Sequence, residues 1–182
     1  MAYPQALDKS WQYLIELTRE VQVVKFLSED YEVDCKAKSI VRIPDRQSAK
    51  EVVAILILHY LIQELKGIGS VSGEWIPFRQ LDGGEGYYPT FRKRVIERII
   101  KKYEQNSKGM FEAVDRLGAE KAEFGDVGLV IEVFPKIKFL VTLWKGSEEF
   151  GTDANILFDK NVIKVFPTED IIVLSEVLVS AL

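Results

Sequence analysis

The sequence is short of the residues that carry most protein chemistry: of 182 residues, one is cysteine, one is histidine and two are methionine. A lone Cys35 excludes an internal disulfide, and it excludes a zinc site or iron-sulfur cluster ligated by cysteines of this chain alone. It also fits a reducing compartment. A lone His59 means that any histidine-dependent triad or metal site has to run through that one position. Long apolar runs are missing too. The longest, Val52 to Ile62, is well short of the roughly 20 residues that span a bilayer, and Met1 to Asp8 lacks the basic-then-apolar order of a secretory signal. A cytoplasmic protein with no membrane partner is the expectation. Positive charge is not in excess either. The formal net charge of -4 argues against a surface built for nucleic acid.

What is present is ordinary for a packed protein. Hydrophobic residues make up 47% and charged residues 29%, too apolar a balance for a disordered segment. The length suffices for one core without staples, so residues 1–182 are expected to form a single domain, with 1–30 a helical lead-in and 31–182 the core. Leu7, Trp11, Leu14 and Thr18 recur at helical spacing. From Tyr31 the period drops to two: Tyr31, Val33, Cys35 and Ala37 alternate with charged neighbours, which predicts a half-buried strand to Lys38. Ser39 to Ile43 either continues that strand or pairs with it, before Pro44 and Asp45 break it.

Ser48 and Glu51 have capping-box spacing and Gly67 suits a left-handed C-cap, which predicts a helix over 49–66. Its middle is apolar on every face and so requires cover on every side. After a glycine- and serine-rich connector, Trp75 to Arg79 reads as extended and Asp82 to Gly86 as a tight loop. Pro89 then suits the first turn of a helix with the buried stripe Phe91, Val95 and Ile99. Strands are expected over 120–124, 127–134, 138–145 and 156–158, with 162–165 a short extra one, and a closing helix from Thr168. The fold class expected is α+β: a mainly antiparallel sheet packed against helices, with helix 49–66 buried at the centre.

Few residues offer chemistry. His59, set in a buried stretch, reads as a neutral core histidine bonded to a neighbour, with no catalytic residue assigned. Trp75, Arg79, Gly83, Gly84 and Gly86 form the candidate ligand or anion site. Backbone N–H groups at a glycine-rich helix start can hold an anion, with Arg79 adding charge, but the segment lacks the full dinucleotide and phosphate-loop patterns. If Arg79 is exposed in a concave site beside a carboxylate, an enzyme is favoured. If it is buried against Asp82, Asp159 or a carbonyl, it is structural. Arg79→Ala is expected to lower stability more than any ligand affinity.

From Arg92 to Lys108 seven basic residues face two acidic ones, so 7 − 2 gives +5 and the rest of the chain sums to -9. Without interleaved aromatics this reads as a solvated helix face. Glu148, Glu149, Asp153, Asn155 and Asp159 do not match a calcium loop and read as loop and strand-capping residues, so no metal is expected. Cys35 reads as a packed thiol.

Trp75-Ile-Pro-Phe-Arg79 with Gly83-Gly84, Leu143-Trp144 with Glu148-Glu149-Phe150, Leu157-Phe158-Asp159 and Pro167-Thr-Glu-Asp170 occur here in order. On these the chain resembles domain of unknown function 3786, an uncharacterised family of anaerobic bacteria and archaea, from about Tyr31 to the C-terminus. Some relatives carry an iron-sulfur cluster domain, so the resemblance implies an accessory role beside an iron-sulfur or corrinoid protein in trans. The resemblance supplies no cofactor and no catalytic residue. The functional expectation is a non-enzymatic domain that binds a ligand or protein. The alternative is a small-molecule enzyme or anion-binding protein using Arg79 and the Gly83–Gly86 loop.

Overall fold

The computed structural model of the chain describes residues 3–43 and 45–182. Pro44, where a strand break is expected, and Met1 and Ala2, read for a signal, lie outside the described residues. The chain opens with α1 (Tyr3–Leu17), which buries Trp11 and Leu14 as the helical spacing requires. Then β1 (Gln22–Phe26), β2 (Glu29–Asp34) and β3 (Ser39–Ile43) form an antiparallel three-stranded sheet.

Two expectations are corrected here. Residues 1–30 are not a purely helical lead-in, because β1 lies inside them. The strand from Tyr31 does not reach Lys38 either. Asp34 Oδ1 accepts the amides of Lys36 and Ala37 at 2.8 and 3.0 Å, which turns the chain, and Lys38 takes φ +50°. Residues 39–43 are therefore the hairpin partner, and Cys35 is buried in the turn.

The long helix is α2 (Glu51–Lys66), closed as expected by Gly67 at φ +93°. The capping box is not formed: Lys50 is the N-cap and no side chain caps it. Ser48 bridges to Val41 instead, and the Ala49 amide donates to Ile40 O at 2.9 Å. The backbone pairing of β3 takes the residues a cap would use.

The second sheet has the order β4-β8-β7-β6-β5, all antiparallel, from β4 (Trp75–Pro77), β5 (Glu120–Ala122), β6 (Val127–Phe134), β7 (Ile137–Trp144) and β8 (Asp153–Asp159). Pro77 sits on the edge strand, where its missing N–H breaks no ladder. Extended backbone ends there, since 78–80 is a 3-10 turn and not strand. The helix assigned to Pro89 begins earlier, as α3 (Gly84–Phe91) with Pro89 inside it. It runs through a π-helical turn, Arg92–Ile96, into α4 (Glu97–Tyr103). Its stripe of Phe91, Val95, Ile96 and Ile99 is fully buried, as expected.

After α5 (Glu112–Leu117), the predicted strand at 162–165 is the helical turn α6 (Val162–Val165). The chain ends in α7 (Thr168–Ala181). Thr168 starts α7 without capping it, since its hydroxyl donates to Asp82 O at 2.6 Å.

The α+β class holds, with the refinement that there are two sheets. From Val53 to Ile62 every residue of α2 except His59 is buried, because α1, α6, α7 and β1 all pack on it. The sheets meet where the Leu27 amide donates to Val133 O at 2.9 Å, at a register shift in β6 between Glu132 and Phe134. Phe134 joins the layers, stacking on Tyr60 of α2 at 4.5 Å and on Phe26 of β1 at 4.7 Å between ring centroids. Buried apolar residues from both sheets and the helices form one contiguous cluster. No helix among the described residues is long and apolar enough to cross a membrane.

Candidate functional site

The five residues singled out around the glycine loop are not gathered into one site. Trp75 is half-buried in β4, opposite Asp159 in the ladder. Arg79 is exposed on the 3-10 turn, bound to Glu85 Oε2 at 2.5 Å and stacked on the Tyr88 ring at 3.6 Å. It is therefore neither buried against Asp82 or Asp159 nor part of the walls of a described cavity. Gly84 has a packing role: a Cβ there would stand 2.2 Å from Phe78 O, so only glycine lets α3 start against the preceding turn. Gly86 faces open space. Gly83, at φ +66°, lines a small cavity of about 320 Å³ together with Asp82, Tyr87, Thr168 and Glu169. Tyr87 donates to Glu169 there at 2.8 Å, which holds the Glu169 carboxyl below the usual carboxylate range.

The other charged candidates are also engaged. Asp159 is buried and accepts from the amides of Ser72, Gly73 and Asn161 and from the Ser72 hydroxyl at 2.9 to 3.2 Å. It fastens the connector to the end of β8. Asp153, at the other end of β8, stands 3.9 Å from Arg92. Six residue steps along the strand, roughly 20 Å, separate the two carboxylates, too far to share an ion. Among the basic helix residues, Arg94 pairs with Glu176 and Arg98 donates to Ser180 Oγ at 2.9 Å, both on α7. Much of that positive face is spent on tying α4 and the π-turn to α7.

His59 has partners that its sequence neighbours give no sign of. Nδ1 lies 2.5 Å from Asp170 Oδ2 and Nε2 lies 3.0 Å from Ser10 Oγ, a serine–histidine–aspartate chain across α1, α2 and α7. Connectivity alone does not make a nucleophile. Ser10 is 4% exposed, sits mid-helix where neighbouring N–H groups are spent within α1, and donates its hydroxyl to Ala6 O at 2.9 Å. The cluster joins three helices through an otherwise apolar seam.

A cleft of about 890 Å³ lies between the three-stranded sheet, the start of α2, the α4–α5 corner and the end of α7. Its apolar floor comes from Phe26, Leu27, Val53, Leu117 and Val177, and its rim carries Arg42, Lys50, Lys102 and Arg116 against Glu29 and Glu112. Four cations against two anions leave +2. Arg42 is bound to Asp45 at 3.2 Å and faces Glu29 at 3.8 Å. Arg116 donates to Ala181 O at 3.1 Å, and the Tyr103 hydroxyl donates to Leu182 O at 2.6 Å, so both bind the end of α7. Lys50 and Lys102 take part in no ion pair among the described residues. Lys102 stands over the Tyr103 ring at 5.4 Å. Burial pushes the hydroxyls of Tyr31 and Tyr103 above their ordinary range, with Glu29 adding to the effect at Tyr31. Both remain neutral hydrogen-bonding groups at neutral pH.

A family model described as Domain of unknown function (DUF3786) matches residues 10–181. The chain belongs to that family. No curated protein and no solved structure matches it. The match takes in α1 from Ser10 onward, so it covers the Ser10–His59–Asp170 cluster, the cleft and the glycine loop alike. It also begins well before Tyr31, where the resemblance read from the sequence began.

Proposed function

We propose that the chain is a non-enzymatic binding domain whose ligand is a small anionic molecule with an apolar portion, held in the cleft beside the three-stranded sheet. The observation that carries this reading is the pair of unpaired lysines, Lys50 and Lys102, on the rim of a concavity with an apolar floor. A cleft of about 890 Å³ falls within the range of roughly 300–1,000 Å³ that small-molecule sites occupy. Two lysines on one rim that form no ion pair among the described residues leave a positive potential that an anion relieves. The opening of α2 strengthens that field, since its first N–H groups carry no side-chain cap.

The glycine-loop alternative has less support, because the Arg79 charge is already bound by Glu85. An accessory role beside an iron-sulfur or corrinoid protein agrees with this reading. The single cysteine leaves any cluster to that partner.

The test is thermal unfolding of the whole chain with phosphate, pyrophosphate, succinate and adenosine phosphates, against matched chloride. At least one anion is expected to raise the midpoint in a saturable way, and the Lys50→Glu, Lys102→Glu double variant is expected to lose that rise. Equal shifts in wild type and variant would remove the cleft from consideration.

A further inference from the structure

The far end of the five-stranded sheet displays three aromatic side chains to solvent: Phe124 is 46% exposed, Trp144 40% and Phe150 73%. The topology places them together. Val127 pairs with Leu143 and Trp144 with Asp153, so the β5–β6 turn and the β7–β8 loop lie at the same end of the sheet. The two touch, since a Cβ on Gly125 would be 3.3 Å from Trp144 Cε2.

The loop bearing Phe150 is hydrogen-bonded within itself. The Ser147 amide donates to Phe150 O at 2.7 Å, Ser147 Oγ accepts the Phe150 amide at 3.2 Å, and the Gly146 amide donates to Thr152 Oγ1 at 3.1 Å. An aromatic held outward on a bonded turn contributes little to the core. It loses little freedom when a partner covers it, and clustered exposed aromatics mark contact surfaces.

The rim is acidic. Glu123, Asp126, Glu148, Glu149 and Asp153 against Lys145 and Arg92, which stands 3.9 Å from Asp153, give 2 − 5 = -3.

We propose that this end docks a separate protein whose surface sets basic side chains around an apolar recess. Charge complementarity selects that occupant, while nucleic acid and anionic lipid are repelled by the same rim. The proposed surface is remote from the cleft. β6 runs eight residues, roughly 25 Å, from this end towards Val133, where the three-stranded sheet attaches. Ligand and partner can be held at once.

The experiment titrates the full chain with a synthetic amphipathic leucine–lysine helix, and separately with its leucine–glutamate counterpart, following backbone amide shifts. The lysine peptide is expected to move amides of 123–126 and 144–153 saturably, and the glutamate peptide to leave them unmoved. Phe150→Ser, which changes no charge, is expected to weaken the lysine peptide about tenfold or more, and Glu148→Lys with Glu149→Lys to do the same, both with unchanged unfolding midpoints. The proposal is overturned if both peptides move the same amides, if Phe150→Ser binds as well as wild type, or if sedimentation shows the chain burying Phe150 against itself.

Discussion

Gly84 shows how much one missing side chain decides. The start of α3 lies so close to the Phe78 carbonyl that a methyl group would overlap it, so Gly84→Ala forces the 3-10 turn and α3 apart. Overpacking of this kind costs about 1–3 kcal/mol. We expect Gly84→Ala to lose stability in that range by denaturant unfolding, while Gly86→Ala, facing open space, gains or stays level. Equal effects at both positions would refute the packing account. Arg79 is the opposite case. Its exposed pair with Glu85 and its stacking on Tyr88 contribute about 1 kcal/mol or less. Arg79→Ala is therefore expected to shift the unfolding midpoint only slightly, a smaller effect than an arginine buried in the core would give. The glycine at 84 is legible in the sequence as unusual, but its reason is not: the neighbour it accommodates is six residues back and meets it only after the turn forms.

At the scale of elements, the Ser10–His59–Asp170 chain fastens α1 and α7 to the central helix. Removing one partner leaves part-buried polar groups short of a hydrogen bond, which costs about 0.5–1.5 kcal/mol. His59→Leu and Asp170→Ala are each expected to destabilise by that order, with a double variant less costly than the sum because the partners are shared. Ser10 is expected to stay unlabelled by fluorophosphonates. Rapid labelling would turn the cluster into a nucleophile and contradict the reading. None of this pairing could be read from the sequence, since the partners lie 49 and 111 residues from His59.

Elements set by local pattern were legible. The β6–β7 hairpin around Pro135 and Lys136, the stripe from Phe91 to Ile99, and the close of α2 at Gly67 all follow from spacing and turn chemistry. The break after Asp34 was not, because buried Cys35 continues the alternation of a strand while sitting in a turn. The only local signal was Asp34 itself, whose carboxylate bonds the amides ahead of it.

For the whole molecule, the pH dependence of stability follows from groups on several elements. Backbone amides hold Asp34 below the usual carboxylate range, Arg42 does so for Asp45, and Tyr87 for Glu169. Each contributes stability above its ordinary value, about 4, that is lost as pH falls through the lowered one. Burial raises Tyr60, Tyr31 and Tyr103, with the Glu64 charge adding to it at Tyr60. Their contributions are present below about pH 10 and lost as pH rises through the raised values. Burial raises the Cys35 thiol as well, so a plateau of the unfolding midpoint is expected from about pH 5 to about 8.5, falling on both sides. Tyr60→Phe should soften the alkaline fall and leave the acid one alone.

The cleft belongs to this scale too. Its walls come from both ends of the chain and from the middle, so no stretch of sequence announces it, and its lysines are separated by more than fifty positions. Isothermal titration of the chain with whichever of the four anions raises its midpoint most, beside the Lys50→Glu, Lys102→Glu double variant, tests the central claim most directly. The account predicts one saturable site in the wild type and none in the variant, with both proteins equally folded. Binding of the same strength in both would contradict it.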